Sequence, residues 1–476
     1  MSKTPLCALF AAMAAMTIGA VRADVELTPA DDLQAAIDNA EAGETLTLLP
    51  GEYKLSKTLA VNKGVTVKGI HREIVHLVAS GTGYTLVKLD DATAVLSNVT
   101  VRDVASAGNP VVFVQAGSFE DSVVRNCSNS SRKGIVNVIG DDAYMRRVVC
   151  RDNSNGSYGG GCWLDCGTVA NCLFCGNYAS WGGGIYAPGG LARRVVNCTA
   201  VGNTSGAAVN GHDICWWSDT PVTKNCAFVN ARSAKAGVNP TTFAVQDTTS
   251  TPFCTIVESL GLDANYTPTE GSPLIGAGEP VDENVYLDGS LHDATAPTAG
   301  CYPPNRIVAT IDVASHATCA KGDTVDILVS VENASDDATA TVRVYTQEGL
   351  VAELDAREAV DGRLPLEISA YGWYHLVLTV DDGARKANAG VYQAFQCGAN
   401  HLYVDPSSPN PALPFDSWET AAHTIDEALA TAADEGCTIT VADGTYALES
   451  EIVVTKAVLL ESAHGAVASI SCRARS

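Results

Sequence analysis

The chain has 476 residues and an acidic composition, with 30 Lys and Arg against 54 Asp and Glu and a formal net charge of −24 at pH 7. This charge argues against nucleic acid and anionic lipid as partners, because both are themselves negatively charged. The length suffices for two or three domains, and no run after the N-terminus approaches the ~18 apolar residues of a membrane-spanning helix.

Residues 1–23 have the features of a secretory signal peptide. Lys3 precedes an apolar stretch from Leu6 to Ala20, and Val21-Arg22-Ala23 then form the predicted cleavage site before Asp24. The apolar stretch is too short for a stable membrane span. Cleavage would leave 28 basic and 54 acidic residues, a charge near −26. We therefore expect an exported protein of the cell surface, the periplasm or the extracellular space.

The first predicted element is an amphipathic helix over Asp31–Ala40, and the segment that follows it is repeated near the C-terminus. Residues 43–67 align without a gap on residues 436–460, and the second copy also follows a predicted helix, Thr424–Ala433. Matched residues include Gly51 with Gly444, Tyr53 with Tyr446 and Lys63 with Lys456. A short helix can cover the open end of a stack of strands. The chain is therefore predicted to begin such a stack twice.

Between about residue 84 and residue 230, a unit of about two dozen residues recurs. Its clearest copies are 157–163 and 180–186, which start 23 residues apart and each contain three consecutive glycines. Valine-rich runs that end in cysteine stand upstream of each unit. Such a period indicates stacked units, none of which can bury its apolar face alone. Short strand-like runs cut by Gly and Asn, with no helical pattern between them, predict a parallel β-helix.

The chain contains 16 cysteines, and 15 remain once Cys7 leaves with the signal peptide, so at least one cannot pair within the chain. Five of them recur about once per unit: Cys127, Cys150, Cys172, Cys198 and Cys226. We expect these five to stack on one side of the β-helix as small inward-facing apolar residues. Disulfides are the alternative that export would permit. A zinc site is disfavoured, because cysteines three apart on a strand face opposite sides.

The pattern changes after the first β-helix, which is predicted to span residues 24–302 with a turn-rich closing cap at 271–289. Residues 303–398 show plain alternation of apolar and polar residues, which predicts an immunoglobulin-like β-sandwich. A Pro- and Ser-rich linker follows. Residues 399–476 are then expected to form the N-terminal cap and first coils of a second, incomplete β-helix.

Two groups of residues resemble a known superfamily. The triplet 403–405, the second predicted helix and the run 441–446 are similar to the start of secreted bacterial right-handed parallel β-helix proteins of the pectate-lyase-like superfamily. The Asn-Cys runs and the Gly-Gly-Gly-Ile turn resemble rungs of polymorphic outer-membrane proteins. The resemblance covers residues 24–302 and 401–465 and implies an all-β, right-handed parallel β-helix. It does not select an activity, since the superfold includes lyases, hydrolases and adhesins.

A row of carboxylates precedes the valine-rich runs and is the candidate for chemistry. Aligned on the cysteines, one corner of successive coils would carry Asp90, Asp91, Glu120, Asp121, Asp141, Asp142, Asp165 and Asp219. Coils stack ~4.8 Å apart, so such a row attracts a hard cation such as Ca²⁺. Asp141, Asp142 and Asp165 are the candidate calcium ligands. With Arg147 they are also the catalytic candidates, because calcium and arginine together neutralise a uronate while a base removes its α-proton. The alternative is ordinary turn chemistry of aspartate.

Aromatic residues also recur with the repeat, and Trp181, Tyr186, Trp216 and Trp217 are the candidates for a carbohydrate-binding platform. Core packing is the alternative reading of the same side chains. The sequence thus favours an exported module that binds polysaccharide or cell-surface glycans without catalysis. The alternative function is a polysaccharide lyase or glycoside hydrolase that acts on an acidic polysaccharide. Calcium is the one cofactor for which the sequence offers candidates.

Overall fold

The computed structural model describes residues 25–465 apart from 131, 189–192, 207–210, 217–221, 229–230, 234–259, 317–318, 434 and 447–450. The predicted signal peptide therefore lies outside the described residues, as do Trp217 and Asp219. Strands dominate the described residues, which contain two α-helices of seven residues each. Neither helix is long and apolar enough to cross a membrane.

The first part of the chain forms one helix and a long series of short strands. Their bounds are β1 Val25–Leu27, α1 Leu33–Asn39, β2 Thr45–Leu48, β3 Gly51–Leu55, β4 Leu59–Val61, β5 Thr66–Gly69, β6 Val75–Ala79, β7 Val87–Ser97, β8 Thr100–Arg102, β9 Ala105–Ser106, β10 Val112–Glu120, β11 Val123–Arg125, β12 Ser128–Asn129, β13 Val136–Val138, β14 Ala143–Arg146, β15 Val149–Arg151, β16 Ser154–Tyr158, β17 Cys162–Leu164, β18 Gly167–Ala170, β19 Leu173–Cys175, β20 Tyr178–Trp181, β21 Ile185–Ala187, β22 Arg193–Val196, β23 Thr199–Val201, β24 Thr204–Ser205, β25 Ile214–Trp216, β26 Val222–Lys224, β27 Ala227–Phe228 and β28 Ala231–Ser233.

The second part contains longer strands, a 3₁₀ turn and the second helix. Their bounds are β29 Val308–Val313, β30 Thr324–Glu332, β31 Thr339–Thr346, β32 Gly349–Asp355, the 3₁₀ turn Ala356–Glu358, β33 Arg363–Glu367, β34 Gly372–Asp382, β35 Arg385–Cys397, β36 His401–Val404, α2 Ile425–Thr431, β37 Glu435–Val441 and β38 Ala457–Ser462. Both helices are slightly shorter than predicted, because Asp32 and Thr424 are N-cap residues whose side chains accept hydrogen bonds from the first turn.

Strands β1 to β28 form three parallel sheets that wind around one core. The main sheet runs β1-β2-β5-β7-β10-β13-β17-β21-β25-β28, with β14, β18, β22 and β26 beside this path and β4 paired with β7. The second sheet runs β27-β23-β19-β15-β11-β8-β6-β3, and the third runs β24-β20-β16-β12-β9. Cys162 lies opposite Ile185 and Trp163 opposite Tyr186. The predicted parallel β-helix and the 23-residue alignment of its glycine-rich turns are therefore confirmed.

The core of the β-helix is a single apolar column that fills the inside of the coils. It contains fully buried phenylalanines at 119, 174 and 228 among many Val, Leu and Ile side chains. Burying one such side chain contributes roughly 1.5–3 kcal/mol. Helix α1 adds Leu33 and Ile37 to the same core. The helix therefore covers the N-terminal end of the column, as the sequence predicted.

The five recurring cysteines point into the core as predicted, but two of them do not lie in the predicted stack. All five are buried free thiols of the same core. The pairs Leu173–Thr199 and Thr199–Ala227 place Cys172, Cys198 and Cys226 in one stack. Cys150 instead lies opposite Phe174, which is two residues after Cys172. Cys127 lies opposite Asn153, which is three residues after Cys150.

The register is set at the corners of the coils, where one residue per coil adopts a left-handed backbone conformation. Residues at one such corner are Asn98, Asp121, Arg147, Asn171, Asn197 and Asn225, with φ between 52° and 55°. At the next corner, the buried side chains of Asn153, Asn177 and Asn203 form a ladder, with Nδ2–Oδ1 distances of 3.0 and 2.9 Å between neighbours. Asparagine suits the ladder because its amide both donates and accepts hydrogen bonds, while the residues just before it, Asp152, Gly176 and Gly202, adopt the positive φ.

Residues 260–302 pack against the side of the β-helix. The outward-facing residues Val123, Val149 and Leu173 of the second sheet form a buried cluster with Leu287 and Cys301. The backbone oxygen of Glu283 also accepts a hydrogen bond from Asn197 Nδ2 (2.8 Å). The described contacts of this segment are lateral, and the closing cap remains a prediction. The apolar outer face of this sheet requires a cover, and the segment supplies it.

Strands β29 to β35 form two antiparallel sheets around a second core. The sheet orders are β29-β30-β33 and β32-β31-β34-β35. Tyr374 and Phe395 are buried in this core with their ring centroids 4.7 Å apart. These sheets agree with the predicted change to antiparallel structure, and their immunoglobulin-like topology remains a prediction.

The C-terminal repeat adopts the same local structure as its N-terminal counterpart. Strands β36, β37 and β38 are parallel, and Val404 lies opposite Val441 as Leu27 lies opposite Leu48. The hydroxyl of Tyr53 donates to the Leu49 oxygen (3.0 Å), and that of Tyr446 donates to the Ala442 oxygen (2.9 Å). The lysines agree as well, since Lys63 Nζ and Lys456 Nζ each donate to carbonyls at the end of the preceding helix: Asp38, Ala40, Ala430 and Ala432. Continuation of this sheet into a second β-helix remains a prediction.

Candidate functional site

The structure brings Asp141, Asp142 and Asp165 to the same corner of two neighbouring coils. Asp141 and Asp142 are exposed in the bend between β13 and β14, and Asp165 is partly exposed directly after β17. The amide of Asp165 donates to the Val138 oxygen at 2.9 Å, which fixes the stacking of the two bends. Burial raises the pKa of the Cys166 thiol, and the charges of Asp141 and Asp165 raise it further. The two carboxylates therefore flank this buried thiol.

Glu120 and Asp121 do not belong to this acidic corner. Glu120 ends β10 and Asp121 follows it at the next corner, where Arg147 Nε lies 2.6 Å from Asp121 Oδ1 and Arg147 Nη2 lies 2.7 Å from Glu120 Oε2. Burial by itself would lower the pKa of Arg147, but these hydrogen bonds and charges outweigh it and raise the pKa. Asp142 directly precedes β14 and Arg147 directly follows it, so the two residues are five positions, or about 16 Å, apart along the strand. The structure thus does not bring Arg147 to the predicted catalytic carboxylates.

The acidic corner does not assemble a metal site in the part of the chain that the structure describes. Within those residues, no three His, Cys, Asp or Glu side chains are placed so that they could hold one ion. Asp91, a further member of the predicted row, accepts hydrogen bonds from Thr93 N (2.8 Å) and Thr93 Oγ1 (2.7 Å). This is the turn chemistry that the sequence left open as an alternative to calcium binding.

Next to the acidic corner runs a line of outward-facing side chains on the main sheet. One residue per coil contributes, and together they are called the outer column: Lys88, Phe113, Asn137, Trp163 and Tyr186, each in register with the next. The flanking residues Cys162 and Leu164 point into the core, so Trp163 points outward. At ~4.8 Å per coil, the outer column is about 19 Å long.

Three aromatic rings meet at the centre of the outer column. Tyr158 lies 4.6 Å from Tyr186 and 5.8 Å from Trp163, and Trp163 lies 5.1 Å from Tyr186, measured between ring centroids. Tyr158 and Trp163 are partly exposed, and Tyr186 is buried, which raises the pKa of its hydroxyl. Tyr158 is the last residue of β16, and the glycine turn that follows it leads the chain to β17 and Trp163. A Cβ on Gly160 would lie only 2.3 Å from the Gly183 oxygen, so the turn requires glycine.

Asn137 completes the centre of the outer column and was missed by sequence reasoning. It lies in register with Trp163, is 4% exposed, and its Oδ1 has no hydrogen-bond partner within the protein. A buried carbonyl without a partner costs about 1–3 kcal/mol. The oxygen is buried as well as unpartnered, so a donor from outside the protein reaches it only after the side chains that cover it move. Nothing in the local sequence distinguishes Asn137, because only the register shows that it lies beside Trp163.

The other predicted platform residues lie in different environments. Trp216 is 3% exposed and belongs to the core, opposite Ala187, so its assignment to a binding platform was wrong. A position that points inward on the strand cannot stack on a ligand. Trp181 is partly exposed and lies opposite Tyr158, beside the aromatic cluster. Trp217 falls outside the described residues.

A second aromatic surface lies on the C-terminal parallel sheet and was also missed. His401 and Tyr403 alternate on β36 with buried Leu402 and Val404, so both face outward. Their rings stack at 4.8 Å, and Trp418, which is 41% exposed, lies 4.6 Å from Tyr403. Sequence reasoning could have identified this surface from the alternation alone.

No known protein family and no curated protein matches the chain. Two solved structures are similar in part. The A-module of an Azotobacter vinelandii mannuronan C-5 epimerase matches with 14% identity and a TM-score of 0.18, over 42% of this chain and 81% of the module. A PL6 family alginate lyase matches with 10% identity and a TM-score of 0.19, over 93% of this chain and 67% of the lyase. Likeness at this level establishes no activity for the present chain.

Proposed function

We propose that this chain is an exported protein that binds a polysaccharide along the outer column without cleaving it. The observation that carries the proposal is the aromatic cluster of Tyr158, Trp163 and Tyr186 beside the unsatisfied oxygen of Asn137. Sugar rings present C–H faces that pack on aromatic rings and hydroxyls that donate hydrogen bonds. The partly exposed rings of Tyr158 and Trp163 supply the first kind of contact, and the buried oxygen of Asn137 supplies the second once the side chains that cover it move.

The charge around the outer column favours a neutral or amino-bearing glycan over an acidic one. Asp165 follows Trp163 by two residues, so it faces the same side of the sheet, about 7 Å away. Asp141 and Asp142 stand exposed at the neighbouring coil. A uronate polymer would bring its own negative charges against these carboxylates and against a net charge of −24. This proposal differs from the acidic substrate expected for the enzymatic alternative.

The second candidate function is glycoside hydrolysis, and one observation favours it. Asp141 and Asp165 come from neighbouring coils and lie close enough together that both charges act on the Cys166 thiol, and glycosidases work with a pair of carboxyl groups. A lyase reaction is less favoured, because the guanidinium of Arg147 is already occupied by Asp121 and Glu120. Binding without cleavage remains the first choice because the aromatic cluster needs no catalytic partner.

The test is a binding titration of the mature chain with soluble oligosaccharides. Chitohexaose and cellohexaose represent amino-bearing and neutral glycans, and oligogalacturonate represents acidic ones. Calorimetry should detect binding to one of the first two. Replacing Trp163 by Ala should weaken it about tenfold, which corresponds to the loss of one aromatic contact of about 1.4 kcal/mol.

Tyr178→Ala is the matched control, because Tyr178 is an exposed aromatic residue outside the cluster. It should bind as the unaltered protein does. Equal affinity of Trp163→Ala, Tyr158→Ala and the unaltered protein would rule out the outer column. New reducing ends in the same incubations, abolished by Asp165→Asn, would support hydrolysis instead of binding.

The aromatic surface of His401, Tyr403 and Trp418 is proposed as a second contact for the same ligand class. Its exposed tryptophan packs beside Tyr403 of β36, which belongs to a different parallel sheet, so it can act independently of the outer column. Trp418→Ala should then remove one of two binding events in the titration and leave the affinity of the other unchanged. A titration curve that is identical in both proteins would contradict this second contact.

A further inference from the structure

Cys319 and Cys397 face each other across a short parallel bridge. The amide of Cys319 donates to the Gln396 oxygen at 2.9 Å, and the amide of Gly398 donates to the Cys319 oxygen at 3.1 Å. In this pattern the two opposed residues point to the same side, with Cα atoms ~4.8 Å apart. Disulfides span Cα distances of about 4.4–6.8 Å. The backbone therefore already has the spacing of a disulfide.

The side chains of the two residues meet at the edge of the second core. Cys397 is buried within that core, and Cys319 packs against it while remaining partly exposed. A hydrogen bond between the two thiols lowers the pKa of Cys319 and raises that of Cys397. A thiol that is exposed and ionises more readily is the one that starts disulfide exchange.

We propose that Cys319 and Cys397 form a disulfide when the protein reaches an oxidising compartment. The thiolate of Cys319 attacks one sulfur of an oxidised thiol compound such as glutathione disulfide, which gives a mixed disulfide and releases one reduced thiol. The sulfur of Cys397 then attacks the Cys319 sulfur, loses its proton and expels the second reduced thiol. The two protein thiols lose two electrons, and the external disulfide gains them.

The bond would fix the place where the chain leaves the antiparallel sheets and enters the C-terminal parallel sheet. Cys397 is the last residue of β35, and β36 begins at His401. The neighbouring Gln396 side chain donates to the Ala430 oxygen of α2 and accepts a hydrogen bond from Lys456 Nζ (2.9 Å). A cross-link at Cys397 therefore holds β35, and through Gln396 the base of the next sheet, to the segment before β30.

The stacked thiols of the β-helix provide an internal comparison. Cys172 and Cys198 also lie in register and their thiols are also hydrogen-bonded, but both are fully buried, and burial raises the pKa of each well above its ordinary value. An external oxidant cannot reach them without unfolding a coil. Of these two close pairs, only Cys319 and Cys397 should become oxidised in the folded protein.

The test is peptide mapping of the full chain after equilibration with a mixture of reduced and oxidised glutathione. Under non-reducing conditions, the peptides that contain Cys319 and Cys397 should be recovered as one species, lighter by two hydrogens than the sum of the separate peptides. Cys172 and Cys198 should be alkylated after denaturation. Recovery of both Cys319 and Cys397 as free or glutathione-bound residues would overturn the proposal.

A thermal melt provides a second measurement. The two cysteines are 78 residues apart in sequence, and closing a loop of this size should raise the melting temperature of the antiparallel sheets by about 10–30 °C. A phosphine reductant should remove this increase in the unaltered protein and have no effect on Cys319→Ala. If the reductant shifts both proteins equally, a different disulfide is responsible and the proposal fails. The peptide map needs no variant, so a variant that does not fold leaves the test intact.

Discussion

Three buried histidines join the β-helix to the antiparallel sheets and predict a loss of stability in mild acid. His71 precedes strand β6 of the β-helix and His76 lies in it, whereas His375 lies in β34. The three residues are 7%, 4% and 3% exposed, respectively. The ring of Tyr392 lies 4.4 Å from His76 and 4.8 Å from His375. His71 Nε2 lies 3.2 Å from Asn388 Oδ1. The two parts of the chain therefore meet through neutral imidazoles.

Burial lowers the pKa of all three residues, to about 4 for His71 and His76 and about 3 for His375. Nearby cations add to the effect, Arg72 for His71 and Arg102 for His76. A histidine in the unfolded chain titrates near 6.5. Between pH 6.5 and about 4, the unfolded state therefore binds protons that the folded state rejects, and the stability falls as the pH falls.

The loss of stability in acid can be calculated from these pKa values. At pH 5 each histidine favours the unfolded state by about 2 kcal/mol relative to pH 7.5, so the three together contribute at most about 6 kcal/mol. Urea unfolding at pH 7.5 and pH 5 measures the loss. Carboxylates also titrate in acid, so the comparison is with a variant in which the three histidines are replaced by Gln, a neutral side chain that retains polar contacts.

The Gln variant should lose about 4–6 kcal/mol less than the unaltered protein between the two pH values. Single replacements should each recover about one third of this difference. If the unaltered protein and the triple variant lose the same free energy of unfolding, the histidines are hydrated or already charged at neutral pH. The described interface would then not determine the acid response.

Three further substitutions test the packing of the β-helix. Cys172→Ser should lower the free energy of unfolding by about 1–3 kcal/mol, because it buries a hydroxyl within an apolar stack; an unchanged urea midpoint would mean that the stack is hydrated. Asn177→Ala removes the acceptor of both the backbone and side-chain amides of Asn153 and should cost at least about 2 kcal/mol. Asn177→Asp keeps that acceptor but turns a buried carboxylate oxygen toward the Cys150 oxygen and Asn203 Oδ1, which now accept from Asn177 Nδ2, so it should cost more at pH 7 than at pH 4. Gly167→Ala should lower the melting temperature most, because the φ of Gly167 is +89° and a Cβ there would lie 2.4 Å from the Ala143 oxygen. The expected cost is at least about 1–3 kcal/mol. A melting temperature within about 2 °C of that of the unaltered protein would contradict the described corner.

Sequence reasoning succeeded where the signal was a spacing between near neighbours. The period of about two dozen residues required stacked coils, since one coil cannot bury its own apolar face. The glycine triplets at 159–161 and 182–184 lie on one another as aligned, because no other residue fits turns packed this closely. The duplicated start of a parallel sheet keeps the same tyrosine and lysine hydrogen bonds in both copies. These features depend on contacts within one or two coils.

Sequence reasoning failed where the outcome depended on register between coils. Aligning coils on cysteine shifted Cys150 by two residues and placed Glu120 and Asp121 in the acidic corner, whereas they flank Arg147 at the next one. The true markers are the left-handed corner residues, which vary between Asn, Asp and Arg and so have no common sequence signal. Trp216 was misassigned for a related reason, since one position along a strand decides between core and surface.

The sequence by itself determined that this chain stacks parallel coils, covers their first end with a helix, changes to antiparallel strands and then begins a parallel sheet again. Those results follow from hydrophobic period, turn residues and capping, all of which act over short stretches of chain. Only the tertiary structure decided which side chains share a surface. Asn137, Trp163 and Tyr186 are more than 20 residues apart in sequence and lie side by side because each coil returns the chain to the same face ~4.8 Å further on.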